Sequence, residues 1–219
     1  MLKDRWRTET SSPSLHSAQK TTPGAPQTRP SNGLDQFFSA IDGQENLSIL
    51  DFAGVTQANV SFITALGHRI YSNDILRTLE ETFGNNGDFL ANQSDPARVE
   101  AFLRETMTFP DQCFDGALIW DTLQFLSPSL LEATVDRLAA ILRPGACLLA
   151  FFHADEKVRT VPLCSYRIAD KKVISLQQRG QSWPIQYFNN RSLEKLFQKF
   201  QSVKFFLTRD HLREVIVRR

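Results

Sequence analysis

Polar side chains that could take part in chemistry stand at the ends of apolar segments that read as strands. Asp51 lies at the end of the first such segment and Asp74 follows the second. Asp121 and His153 follow two longer apolar runs. Ligands of doubly wound sheets bind outside the carboxyl ends of the strands. We therefore expect these four residues and the turn at 51–57 to line one crevice.

Each of these side chains has a chemical and a structural interpretation. Asp74 lies just over twenty residues after the first turn, where an acid can accept hydrogen bonds from a ribose diol, but Asp is equally favoured as a helix cap. Asp121 could contact a ligand on the same strand-end argument. His153 could act as a general base for an acceptor hydroxyl, or be a hydrogen-bonded structural residue.

Strands and helices must alternate to bring those strand ends together, and the periodicity predicts this alternation. Residues 49–52 form a short apolar strand. Residues 56–66 change to helical spacing before Gly67, with Val60, Ile63 and Leu66 on the inward side. Residues 69–72 predict a second strand, and residues 75–83 a second helix. This order is typical of a doubly wound α/β domain with a parallel sheet.

Residues 84–94 (GNNGDFLANQS) predict a loop by composition. No clear third strand lies between Phe83 and Phe114, so that strand is short or missing. Asp95-Pro96 and Ser127-Pro128 open helices. The apolar runs 114–120 and 146–152 predict the fourth and fifth strands.

The rhythm breaks at residues 156–188, which predict an insertion. Two short strands flank a polar turn at Asp170-Lys171, and the loop QQRGQSWPIQ follows them. A helix capped at Asn189-Asn190 comes next. Residues 203–207 and 215–217 predict two closing strands, which should pair antiparallel because the connector is short.

The first 33 residues differ in composition from the rest. They are rich in Ser, Thr, Pro and Gly and poor in large apolar side chains, which predicts a disordered tail. Residues 34–41 have helical spacing and begin a folded domain that we place at 34–219. The tail or the insertion could contact a protein partner.

Composition excludes several functional classes. The formal net charge is +1 over 219 residues, so no large field favours nucleic acid. The three Cys form no CxxC pair, and we expect no metal site. No apolar run is long enough to span a membrane, and no secretory signal is visible at the N-terminus. We expect a cytoplasmic protein.

Four segments resemble class I S-adenosylmethionine-dependent methyltransferases, and the resemblance covers residues 47–219. They are ILDFAGVTQAN for the first motif, GHRIYSNDI for the second strand and its acid, FPDQCFDGALIWDTLQFL for the fourth strand, and LRPGACLLAFFH for the fifth. The resemblance implies a Rossmann-like methyltransferase fold. Its sheet is mostly parallel and seven-stranded in type, with an antiparallel C-terminal hairpin. The implied cofactor is S-adenosyl-L-methionine.

The same resemblance implies a set of cofactor-binding residues: Asp51, Ala53, Gly54, Thr56, Asp74 and Asp121. The three motif glycines fall on Ala53, Val55 and Gln57, so none is kept. Val is β-branched and disfavours positive φ. Either the turn is rebuilt or the pocket is partly closed.

Two functions follow from these features. One is methyl transfer from S-adenosylmethionine to a small-molecule acceptor, with the catalytic residue unknown and His153 as a weak candidate. Methyl transfer depends chiefly on alignment of donor and nucleophile, so it needs few dedicated side chains. The other is a catalytically inactive methyltransferase-like interaction module, which the lost glycines favour and the three acids oppose.

Overall fold

A computed structural model describes residues 24–84 and 88–219. The predicted tail therefore lies outside the described residues up to position 23, as do positions 85–87 of the loop predicted at 84–94. A 3₁₀ turn, Thr122–Phe125, follows β4. In chain order the strands and helices are β1 Gln27–Pro30, α1 Asn32–Ile41, β2 Ser48–Asp51, α2 Gln57–Ala65, β3 Arg69–Ser72, α3 Ile75–Phe83, α4 Phe89–Asn92, α5 Pro96–Thr106, β4 Phe114–Trp120, α6 Pro128–Ile141, β5 Leu142–His153, β6 Thr160–Asp170, β7 Val173–Pro184, α7 Asn190–Leu196, β8 Ser202–Leu207 and β9 Leu212–Arg218.

The main sheet has six strands in the order β3-β2-β4-β5-β9-β8. The first four are parallel, whereas β9 runs antiparallel to both β5 and β8. This is the predicted Rossmann-like methyltransferase fold, with its antiparallel closing pair. Within the described residues no third strand follows α3, so the sheet has six strands rather than seven.

The central strands are buried because helices cover both faces of the sheet. All residues of β2 and six of the seven residues of β4 are buried. One apolar cluster packs α3 and α6 against the sheet, and a second packs α1. Buried faces of this kind explain why the strand segments read as nearly continuous apolar runs.

Side-chain caps fix the starts of several helices that face the carboxyl edge. Thr56, Asp74, Asp95 and Asn189 each accept a hydrogen bond from a backbone N–H in the first turn of the helix that follows. Such caps satisfy N–H groups that have no partner within the helix. They set where α2 and α3 begin, and hence the shape of the turns between strand and helix.

A second, three-stranded sheet of order β1-β7-β6 corrects two predictions. The hairpin around Asp170-Lys171 is confirmed, but β7 runs on to Pro184 through the segment predicted as a loop. Strand β1 lies inside the predicted tail and pairs antiparallel with β7. Its partner is about 145 residues away in sequence, so local composition could not indicate the pairing.

Two smaller corrections concern helices. The short helix α4 falls in the segment predicted as a loop. In α2 the buried side chains are Asn59 and Ile63, whereas the predicted inward face was Val60, Ile63 and Leu66. In the described part of the chain, no helix is long and apolar enough to cross a membrane.

Candidate functional site

Asp51 ends β2 with its carboxylate fully buried and hydrogen-bonded on both oxygens. Oδ1 accepts the Trp120 indole N–H at 2.7 Å and the Ala53 backbone N–H at 3.0 Å. Oδ2 accepts the Asn59 side-chain amide at 2.8 Å. Burial raises the pKa of Asp51, and these three hydrogen bonds oppose the rise. Both carboxylate oxygens of Asp51 therefore accept hydrogen bonds from groups of this chain.

The turn after β2 is rebuilt around Gly54. Its φ is +77°, a conformation that glycine adopts without strain. Val55 has no positive φ and is 82% exposed, so the strain expected at Val55 is avoided. Thr56 caps α2 through its hydroxyl oxygen, which accepts the Asn59 N–H at 3.2 Å. Gly54 thus supplies the positive φ that the turn requires, so Ala53 and Val55 on either side need not be glycine.

The rebuilt turn lies directly against Asp74. The Gly54 N–H donates to the Asn73 carbonyl at 3.2 Å, and Ala53 forms an antiparallel bridge with Asp74. A Cβ atom added to Gly54 would lie 3.0 Å from Asp74 Cβ. The first turn and the acid after β3 are therefore in contact.

Asp74 itself is the cap of α3 and the partner of an arginine. Its Oδ1 accepts the Arg77 N–H at 3.2 Å, which agrees with the capping interpretation. The Arg179 guanidinium, from β7, approaches both carboxylate oxygens at 3.3 and 3.4 Å. The sequence analysis did not indicate Arg179 as a site residue, because its segment was predicted as a loop and not as part of β7.

Asp121 lies beneath the hairpin, with 3% of its surface exposed. Burial raises the pKa of Asp121 to about 7. A hydrogen bond from the Tyr166 hydroxyl and the positive charge of Arg179 both stabilise the carboxylate and so oppose this rise. Asp121 Oδ1 has no hydrogen-bond partner among the described residues. A carboxyl in this state exchanges its proton near neutral pH.

Tyr166 of β6 fills the space beside Asp121. Its ring stacks on Trp120 with centroids 5.2 Å apart and planes inclined by 6°. Trp120 has a φ of +54°, and its indole reaches Asp51. Trp120 is buried as a core residue is, but its ring also connects Asp51 with Tyr166, the partner of Asp121. No local pattern marked Tyr166 in the sequence.

The side chain and the backbone of His153 each form a hydrogen bond within the protein. Its Nδ1 accepts the Asp155 N–H at 3.3 Å, and its backbone N–H donates to Gln124 Oε1 at 2.9 Å. The bond to Gln124 ties the end of β5 to the turn after β4, and neither bond reaches the three acids. The structure thus links Asp51, Asp74 and Asp121 through Trp120, Tyr166 and Arg179, and leaves His153 outside that network.

The described arrangement does not fit S-adenosylmethionine. The Gly54 N–H donates directly to the Asn73 carbonyl at 3.2 Å, and Ala53 bridges Asp74, so no layer of ligand atoms separates the turn from these residues. The Asp74 carboxylate is already bonded to the first turn of α3 and to Arg179. The Trp120–Tyr166 stack occupies the neighbouring space at the ends of β2 and β4.

No family model matches this chain, and no curated protein matches it either. Solved structures that resemble it include several described as methyltransferases and the [4+2]-cyclase SpnF. One is a 1,6-didemethyltoxoflavin N1-methyltransferase of Burkholderia thailandensis, solved with 1,6-didemethyltoxoflavin and S-adenosylhomocysteine. It is 12% identical to this chain with a TM-score of 0.48, and the alignment covers 85% of this chain and 76% of the methyltransferase. A methyltransferase of Methanosarcina mazei is 16% identical with a TM-score of 0.47, covering 80% and 93%. The magnesium protoporphyrin IX methyltransferase of Synechocystis, with bound S-adenosylmethionine, is 11% identical with a TM-score of 0.45, covering 85% and 76%. Identities and TM-scores this low assign no ligand or activity.

Proposed function

We propose that this chain is a catalytically inactive methyltransferase-like protein that serves as an interaction module. The observation that carries the proposal is the packing of the Gly54 turn on residues 73 and 74, where the Gly54 N–H donates to the Asn73 carbonyl at 3.2 Å and Ala53 bridges Asp74. The lost motif glycines support it as well. A polypeptide turn that packs on the ribose-binding position removes the cofactor site without disturbing the sheet.

Titration with S-adenosylmethionine tests the absence of cofactor binding. A ligand at about one hundred times its Kd stabilises a protein by about 2.7 kcal/mol. For a chain of this size that corresponds to a rise in Tm of roughly 5–10 °C. We expect no change in Tm and no saturable heat at about 1 mM ligand, where a weak millimolar site would begin to show. Saturable binding with one site per chain would contradict the proposal.

The interaction half of the proposal needs a separate test on the hairpin surface. Arg167 lies exposed on β6, and Arg191 lies exposed on α7. A protein partner captured by the full chain should be lost with Arg167→Glu and kept with the matched Arg191→Glu. Capture that is unchanged by Arg167→Glu would count against the hairpin as the contact surface.

A second candidate is methyl transfer from S-adenosyl-L-methionine to a small-molecule acceptor. Asp121 favours it, because one of its oxygens is buried without a partner among the described residues at the strand end where such folds bind ligands. Binding would require the Gly54 turn and Asp74 to separate. If wild-type protein binds the cofactor and Asp121→Asn alters its affinity, this candidate replaces the first.

A further inference from the structure

Each acid of the crevice is met by a donor from this chain. The Trp120 indole N–H lies 2.7 Å from Asp51, the Arg179 guanidinium 3.3 Å from Asp74, and the Tyr166 hydroxyl bonds Asp121. We infer that these carboxyls fasten the β6–β7 hairpin to the strand ends, with Tyr166 and Arg179 standing where the groups of a ligand would have to lie. The three carboxyls would then stabilise the attachment of the hairpin in a protein that binds no cofactor.

The Tyr166 side of this fastening combines a stacked ring with a backbone link. Tyr166 stacks on Trp120 and makes an edge contact with Phe151 at 5.6 Å. Two residues further along β6, the Ile168 N–H donates to Asn59 Oδ1 at 2.8 Å. The same amide donates to Asp51, so one side chain of α2 connects the hairpin to the buried acid.

The Arg179 side is braced within the hairpin. Arg179 Nε donates to Ser165 Oγ on the neighbouring strand at 3.0 Å. This bond leaves Nη1 directed at the two oxygens of Asp74. A guanidinium held by one partner loses less rotamer freedom when it binds a second. Arg179 therefore joins both hairpin strands to the residue that caps α3.

The opposite side of the small sheet is also attached, through β1. Arg29 Nη2 lies 2.7 Å from Glu214 Oε1, and the Glu214 carboxylate is fully buried. Glu214 also accepts the Ser31 hydroxyl at 3.0 Å and the Gly33 N–H at 2.6 Å. The sheet is thus held on both sides, which is the arrangement of a fixed cover rather than of an opening lid.

The fastening role rests on the proposed function, because acids bonded to the hairpin are not free to bind a ribose. A double-mutant cycle with Asp74→Asn and Arg179→Met tests it. Asn keeps the helix cap, so Asp74→Asn removes chiefly the ion pair. We expect each single variant to lower the Tm, and the double variant to melt with the lower of the two singles, since the second change finds the pair already broken.

Arg98→Met provides the matched control, because Arg98 pairs with Asp95, the cap of α5, and so lies on a different helix from the one that Asp74 caps. Its effect should add to that of Asp74→Asn. Additive effects of Arg179→Met and Asp74→Asn would overturn the fastening role.

The same proteins are titrated with S-adenosylmethionine at about 1 mM, a concentration that detects even millimolar affinity. Additivity without binding overturns the fastening and leaves the proposed function standing. Binding by the wild type together with a non-additive cycle overturns the proposed function alone. No binding by any variant, with a non-additive cycle, supports both.

Discussion

Asp121 is a buried acid of the crevice with a strongly raised pKa. Its folded-state pKa is about 7 against an ordinary value of 3.8, because burial disfavours the charged carboxylate. Above pH 4 an unfolded chain loses this proton while the folded chain keeps it. The free energy of unfolding therefore falls as the pH rises from about 4 to 7, and the loss is complete above the folded pKa.

Asp121→Asn should remove this pH dependence. Each unit of pKa shift corresponds to about 1.4 kcal/mol, so the contribution at pH 8 amounts to a few kcal/mol. We expect the variant to gain stability relative to wild type as the pH rises from 4 to 8, as measured by urea unfolding at several pH values. Asp42→Asn, at an exposed carboxyl paired with Lys171, is the control and should show no such gain. A constant difference between Asp121→Asn and wild type would show that Asp121 is ionised in the fold.

Substitution of Gly54 by Ala tests directly whether the turn packs against Asp74. Ala at this position must adopt a φ of +77° and place its Cβ 3.0 Å from Asp74. Gly67 has a similar φ of +82° with no atom within 4 Å of the added Cβ. We expect Gly67→Ala to cost about 1 kcal/mol from backbone strain, and Gly54→Ala to cost more, about 2–3 kcal/mol, because Asp74 must also shift. Equal costs in denaturant unfolding would mean that the turn and Asp74 are apart in solution.

At the scale of elements, the sequence predicted those whose signals are local. Strands β3 and β4 and helix α3 begin and end at the predicted residues, because apolar runs and caps mark them. Strand β1 was missed because QTRP is polar and depends on pairing with β7. The acids of the site were predicted from strand ends, but Tyr166 and Arg179 were not, since both reach the crevice through contacts across the fold.

Strand β1 should be essential for stability although its residues are mostly exposed. Arg29 is the ion-pair partner of the buried Glu214, and removal of one member of a buried pair costs about 3–5 kcal/mol. We expect Arg29→Met to lower the free energy of unfolding by that amount in urea. The double variant Arg29→Met/Glu214→Gln should recover much of the loss, because the neutral amide leaves no buried charge alone and its oxygen can still accept from Ser31 or Gly33. Arg77→Met, in an exposed pair, should change stability little; an equally small effect at Arg29 would show that β1 is not held by this pair.

At the scale of the molecule, the question is whether the small sheet opens independently of the large one. The two sheets share an apolar cluster in which Tyr166, Ile168 and Ile174 pack with residues of the main sheet such as Phe151. A lid that opens to admit a ligand exposes its hydrogen bonds at a free energy well below that of global unfolding. A cover fixed by shared core side chains should open only when the whole chain unfolds.

Native-state hydrogen exchange distinguishes these cases. We expect amides in the paired segments of β6 and β7, around the Tyr166–Leu176 and Ile168–Ile174 pairs, to exchange with the same free energy as those of β4 and β5. Low concentrations of urea should not reveal a separate opening of the hairpin, because its side chains and those of the main sheet lose their contacts together. Exchange of β6 and β7 at a clearly lower free energy, through an opening that low urea promotes, would instead identify the hairpin as a mobile lid. Cofactor access to the crevice would then be physically open, and the inactivity of the site would have to rest on the Gly54 turn alone.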